Sequence, residues 1–86
     1  MNKADRKLAA AKAVRELLRV ITGGRRVYNN IYKTGTRTVK TYQRDIDFSI
    51  YEDRITDLAE VFDLDIKFNY TRGSAWSGPA FIVKFI

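Results

Sequence analysis

FSIYEDRITDLAEVFDLDIKFNY, residues 48–70, decides the fold, because it switches from one period of apolar residues to another. Ile55, Leu58, Ala59 and Phe62 recur at i, i+3, i+4 and i+7, so they form one stripe of a helix, with Glu52, Asp53, Asp57 and Glu60 largely outside it. Ser49 with Glu52 three residues later reads as a capping box that starts this helix near Ile50. After Asp63, the residues Leu64, Ile66, Phe68 and Tyr70 alternate with Asp65, Lys67 and Asn69, which is the period of a half-buried strand.

Working outward toward the N-terminus, residues 3–22 predict a long first helix. Ala9, Ala10, Ala11 and Ala13 favour it, and Val14, Leu17, Leu18 and Ile21 supply its buried stripe. Asn2 is the expected N-cap, and Gly23-Gly24 supplies the left-handed residue that ends it. Lys7, Lys12, Arg15 and Arg19 fall outside the stripe and read as a solvated basic face.

Between the helices, Arg25–Lys33 and Thr36–Phe48 are rich in Val, Ile, Tyr and Thr and flank Thr34-Gly35, which predicts a β-hairpin. A two-residue loop suits Gly35 better but scrambles the faces; the three-residue loop favoured here sets Ile31 opposite Val39 and Tyr28 opposite Tyr42. Ile46 and Phe48 have the parity of Tyr42, so a bulge or bend is expected around Gln43–Asp45. A second hairpin joins Leu64–Tyr70 to Ala80–Ile86 through residues 71–79, and the last segment, apolar on both parities, reads as a central strand. The order α-β-β-α-β-β predicts an α+β domain spanning residues 1–86, with a four-stranded, mainly antiparallel sheet and both helices on one face.

With 86 residues and 45% hydrophobic side chains, the chain can bury a single core without staples. It has no Cys and no His, which removes thiolate chemistry, disulfides and the commonest general base and metal ligand. The longest apolar run, Ala80–Val83, is far short of a membrane span, and the charged first residues leave no signal-peptide core. The expectation is a non-enzymatic, cofactor-free cytoplasmic protein with no membrane partner, in the host cytoplasm if phage-encoded.

Charge is segregated along the chain. The net charge is +6, yet residues 1–26 carry eight basic and two acidic side chains, 27–44 four and none, 45–65 one and eight, and 66–86 three and none. No acid occurs between Glu16 and Asp45. In that interval Arg25, Arg26, Lys33, Arg37, Lys40 and Arg44 interleave with Tyr28, Tyr32 and Tyr42. Cations neutralise phosphate and tyrosine rings stack on unpaired bases, so the first hairpin is a candidate surface for nucleic acid or a nucleoprotein complex. The same residue types also occupy ordinary solvent-facing strands.

Arg72 and Trp76 lie in the long loop of the second hairpin. A tryptophan there either anchors a partner or folds back over the end of the core. Small proteins lacking a catalytic kit include phage and mobile-element inhibitors, anti-CRISPR proteins among them, which act by occluding a host protein; that is the alternative expectation. A weaker reading takes Asp45, Asp47 and Asp65-Ile66-Lys67 as part of a Mg²⁺-dependent nuclease site, although eight acids in a short stretch generate such spacings by chance. The acidic second helix reads instead as a counterweight lying beside the basic first one.

Overall fold

Asn2 and Gly23 bound the first helix, α1 (Lys3–Thr22), as expected. The Asn2 side chain accepts from the Asp5 N–H at 2.8 Å, and Gly23 takes φ 71°. The computed structural model describes residues 1–24, 26–43, 45–73, 76 and 78–86. Its remaining elements are β1 (Val27–Ile31), β2 (Arg37–Tyr42), a 3₁₀ turn (Phe48–Tyr51), α2 (Glu52–Val61), β3 (Ile66–Thr71) and β4 (Ala80–Phe85). All three strand pairings are antiparallel, in the order β1-β2-β4-β3, which makes β4 central.

Both helices cover one face of this sheet. Val27, Val39, Thr41, Phe81, Val83 and Phe85 share that face and are buried against Ala10, Ala11, Val14 and Leu18 of α1 and Ile55 and Ala59 of α2. Phe81 is the hub: Phe48 stacks parallel on it at 4.9 Å, and Phe68 and Tyr70 contact it at 5.7 and 5.1 Å. Aromatic contacts of this kind add to what area burial already supplies.

Three local expectations are corrected. The hairpin loop does hold three residues, but it is Lys33-Thr34-Gly35, closed by Tyr32 N–H to the Thr36 carbonyl at 2.9 Å, with Gly35 at φ 81° in the left-handed position that such loops require. Tyr28 therefore lies opposite Lys40, and Ile31 opposite Arg37, not Tyr42 and Val39. Next, β2 stops at Tyr42 and does not continue to Phe48. Asp45 turns the chain with φ 49°, which a short polar side chain tolerates, and the Gln43 side chain donates to the Ile46 carbonyl at 2.7 Å. Arg44, inside the expected bulge, lies outside the described residues.

The capping box is the third correction. Asp47 caps the 3₁₀ turn by accepting from the Ser49 N–H at 3.0 Å and from its hydroxyl, and α2 begins behind that turn with no side-chain cap of its own. Those bonds, the hydroxyl's first, hold the Asp47 carboxyl below the ordinary carboxylate range. Glu52 instead accepts from the Tyr70 hydroxyl at 2.6 Å, tying the start of α2 to β3.

At the far end of α2, Asp63 adopts φ 55°, and Arg6 of α1 donates to the Phe62 and Asp63 carbonyls at 3.1 and 2.9 Å. Arg6 also lies 3.8 Å from the Asp63 carboxylate, an ion pair between α1 and the turn that follows α2. Arg15 leaves the solvated basic set, since it is half-buried and reaches the Val27 carbonyl at 3.4 Å.

Candidate nucleic-acid interface

Alternation along each strand divides the sheet into a covered face and an open one. The open face carries Tyr28 and Asn30 from β1, Thr38, Lys40 and Tyr42 from β2, Ala80, Ile82 and Lys84 from β4, and Lys67, Asn69 and Thr71 from β3. The pairing register aligns these residues into rows that cross all four strands. Tyr28, Lys40, Ile82 and Asn69 form one row; Asn30, Thr38, Lys84 and Lys67 form the next, toward the Lys33–Gly35 turn.

A cluster sits at the β1–β2 corner. The Tyr28 and Tyr42 rings meet edge-to-face at 6.1 Å, across the diagonal of the hairpin. The Arg26 guanidinium lies 3.9 Å from the centre of the Tyr42 ring and the Lys40 ammonium 5.0 Å from it. Arg26 reaches this position through a backbone at φ 49° immediately before β1. Ring quadrupoles attract such cations and thereby hold two positive charges beside two aromatic surfaces. Tyr28 remains 46% exposed.

At the opposite side of the same face, Lys67 and Lys84 are direct cross-strand partners and both are exposed. None of the strand residues of the open face is acidic. Asp65, which precedes β3, instead lines a shallow pocket with Glu60, Asp63 and Leu64.

Of the hairpin residues predicted from sequence, Arg26, Tyr28, Lys40 and Tyr42 are brought together on the open face. Tyr32 and Lys33 are exposed in the turn at its margin. Arg37 is not part of the face. It has the parity of the covered side, where its guanidinium donates to the Asn29 side chain at 3.0 Å. Arg25 and Arg44 lie outside the described residues.

Arg72 is exposed just beyond β3, and the loop it opens is fastened to the end of β2 by the Gln43 N–H to the Pro79 carbonyl at 2.7 Å. Trp76 in that loop is 97% exposed, so the reading in which its ring closes the end of the core does not hold. Lys84 and Asn69 were not identified from sequence, and Lys67 was singled out there only within the Asp65-Ile66-Lys67 element. Their signal is a pairing register between segments far apart in the chain, and local periodicity does not carry it.

A groove of about 440 Å³ between the helices is lined by Ala13, Leu17, Arg54, Asp57, Leu58 and Val61. Asp45 and Asp47 serve the turn into the 3₁₀ segment, and no group of three or more metal-ligating side chains is assembled among the described residues. Among those residues, too, no helix is long and apolar enough to cross a membrane. No protein family, curated protein or solved structure matches this chain.

Proposed function

We propose that this chain is a non-enzymatic nucleic-acid-binding protein whose contact surface is the open face of the sheet, extending the basic first hairpin across β4 and β3. The observation that supports this reading is the make-up of that face: Arg26, Lys40, Lys67 and Lys84 around Tyr28 and Tyr42, with no carboxylate among its strand residues. Uncompensated cations on one side of a protein focus a positive potential there and attract polyanions. Each phosphate neutralised releases counterions, so four contacts make log K fall with log salt at a slope of about −3 to −4.

The test is a titration of labelled oligonucleotides across a salt series, comparing the wild type with a variant in which Arg26, Lys40, Lys67 and Lys84 are all changed to Gln. Salt-dependent association lost in the variant is the expected result. No association at low salt, or an unchanged slope in the variant, overturns the reading.

Trp76 favours a second reading, in which the chain occludes a host protein in the manner of anti-CRISPR and other phage inhibitors. A tryptophan 97% exposed on a loop is the residue type that dominates interface energetics. Trp76→Ala then costs about 2 kcal/mol or more of binding with little loss of stability. Capture of a host protein that survives nuclease treatment and is lost in Trp76→Ala distinguishes this reading from the first.

A further inference from the structure

The open face is not uniform. Its aromatic surface is concentrated on β1 and β2, where Tyr28 and Tyr42 meet, whereas Lys84 and Lys67 stand directly opposite each other on β4 and β3. Like charges facing each other across an antiparallel pair destabilise a sheet. Neither lysine is joined to an acid by an ion pair among the described residues. Asn30 continues the same row with an exposed amide beyond the buried Thr38, so an anion lying over it meets exposed donors on β1, β4 and β3.

Width separates the nucleic acids that could lie there. Four strands spaced about 4.8 Å apart make a surface about 14 Å across, broader than the roughly 12 Å major groove of B-form DNA. The face as a whole therefore does not enter a duplex groove. Tyrosine rings, for their part, stack only on bases that are out of a duplex. A single strand lying across the sheet satisfies both halves at once, with its bases toward the tyrosines and its backbone toward the lysines.

Resting on the nucleic-acid reading above, we propose that the ligand is single-stranded, with an unpaired base stacked on Tyr28 and a backbone phosphate held between Lys67 and Lys84. A 12-nucleotide single-stranded RNA, its DNA counterpart and the corresponding duplexes, titrated against the full chain over a salt series, test it. Lys67→Gln/Lys84→Gln, Tyr28→Ala and, as a control on the helix layer, the exposed Lys12→Gln of α1 are measured alongside. The expected result is single-strand binding at least tenfold tighter than duplex binding in the RNA arm, the DNA arm or both, and whichever arm is tighter names the sugar.

The lysine pair variant reduces the steepness of the salt dependence by about 1.4, two phosphate-neutralising charges at the single-strand value. Tyr28→Ala weakens binding about tenfold while leaving the slope unchanged. Lys12→Gln changes neither. Duplex bound as tightly as single strand, or single-strand binding indifferent to both the pair and Tyr28, overturns this site while leaving a nucleic-acid binder in place. Absence of any nucleic-acid association overturns both readings. Circular dichroism melts of each variant establish that it is folded.

Discussion

If Lys67 and Lys84 face each other for a ligand's sake, the free protein carries a repulsion that substitution should relieve. Opposed Cα atoms in an antiparallel pair lie about 5 Å apart, and the long side chains let the ammonium groups separate to about 7 Å. At that distance two unit charges in water repel by about 0.6 kcal/mol. Screening is slight at 0.01 M salt, where the Debye length is about 30 Å, and removes more than half of the energy at 0.15 M, where it is about 8 Å.

Lys67→Gln and Lys84→Gln should each raise stability by about 0.5 kcal/mol at low salt, or about 2 to 4 °C in melting temperature for a domain of this size. The double variant should gain no more than either single one, because one neutralisation already abolishes the repulsion. Urea denaturation of the four proteins at both salt concentrations, treated as a double-mutant cycle, isolates the coupling from any change in strand propensity. An additive cycle, or single variants that lose stability equally at both salts, would refute the claim that the two charges oppose each other. The same substitutions weaken single-strand binding in the experiment described above, so stability and affinity should move in opposite directions.

Further outcomes follow from the core and the helix ends. The Thr41 hydroxyl is fully buried on the covered face with no hydrogen-bond partner among the described residues, so Thr41→Val should stabilise by about 1 kcal/mol, read as a higher urea midpoint at unchanged m. Arg6→Gln removes the guanidinium that donates to the Phe62 and Asp63 carbonyls just beyond α2 and should cost about 1 to 2 kcal/mol in the same assay. Burial first, and then the Glu52 carboxylate that accepts its proton, push the Tyr70 hydroxyl above the ordinary tyrosine range. The unfolded chain therefore gives up that proton first, and Tyr70's contribution is present below about pH 10 and is lost as the pH rises beyond it. Tyr70→Phe should flatten the alkaline limb of a stability-versus-pH curve; an unchanged limb would place the titration elsewhere.

Local signals were enough to predict the order of elements, both ends of α1, the buried stripe of α2 and the central place of β4. Each is written in residues adjacent in sequence: Asn2 and Gly23 at the caps, Ile55 and Ala59 one turn apart, and Ala80 to Phe85 apolar on both faces. What stayed hidden depends on the placement of one residue or on contacts between distant segments. Gly35, taken as the third loop residue rather than the second, shifts every partner in the first hairpin, and a left-handed Asp45 cuts β2 short of Phe48.

Half of the candidate surface was visible as the basic, tyrosine-bearing hairpin. Arg37 was misplaced within it because charge does not reveal which side of a strand a residue occupies. In sequence Lys67 reads only as part of Asp65-Ile66-Lys67 and Lys84 as a lone surface lysine; the register of β3 and β4 sets them opposite each other.

The central strand is also the last element in chain order, and this bears on how the molecule assembles. The β1–β2 hairpin pairs segments a few residues apart, whereas β2 meets β4 only by joining residues 37–42 to residues 80–85. Closing so long a loop costs more entropy than closing a hairpin and is the step expected to limit the folding rate. During synthesis the ribosome releases both helices and three strands before the strand that unites them. Until β4 arrives, the inner edge of β2 has unpaired backbone groups and α1 and α2 lack much of the apolar surface they cover. Such an edge invites pairing with another chain. The nascent chain is therefore most vulnerable to aggregation in the interval before β4 is delivered.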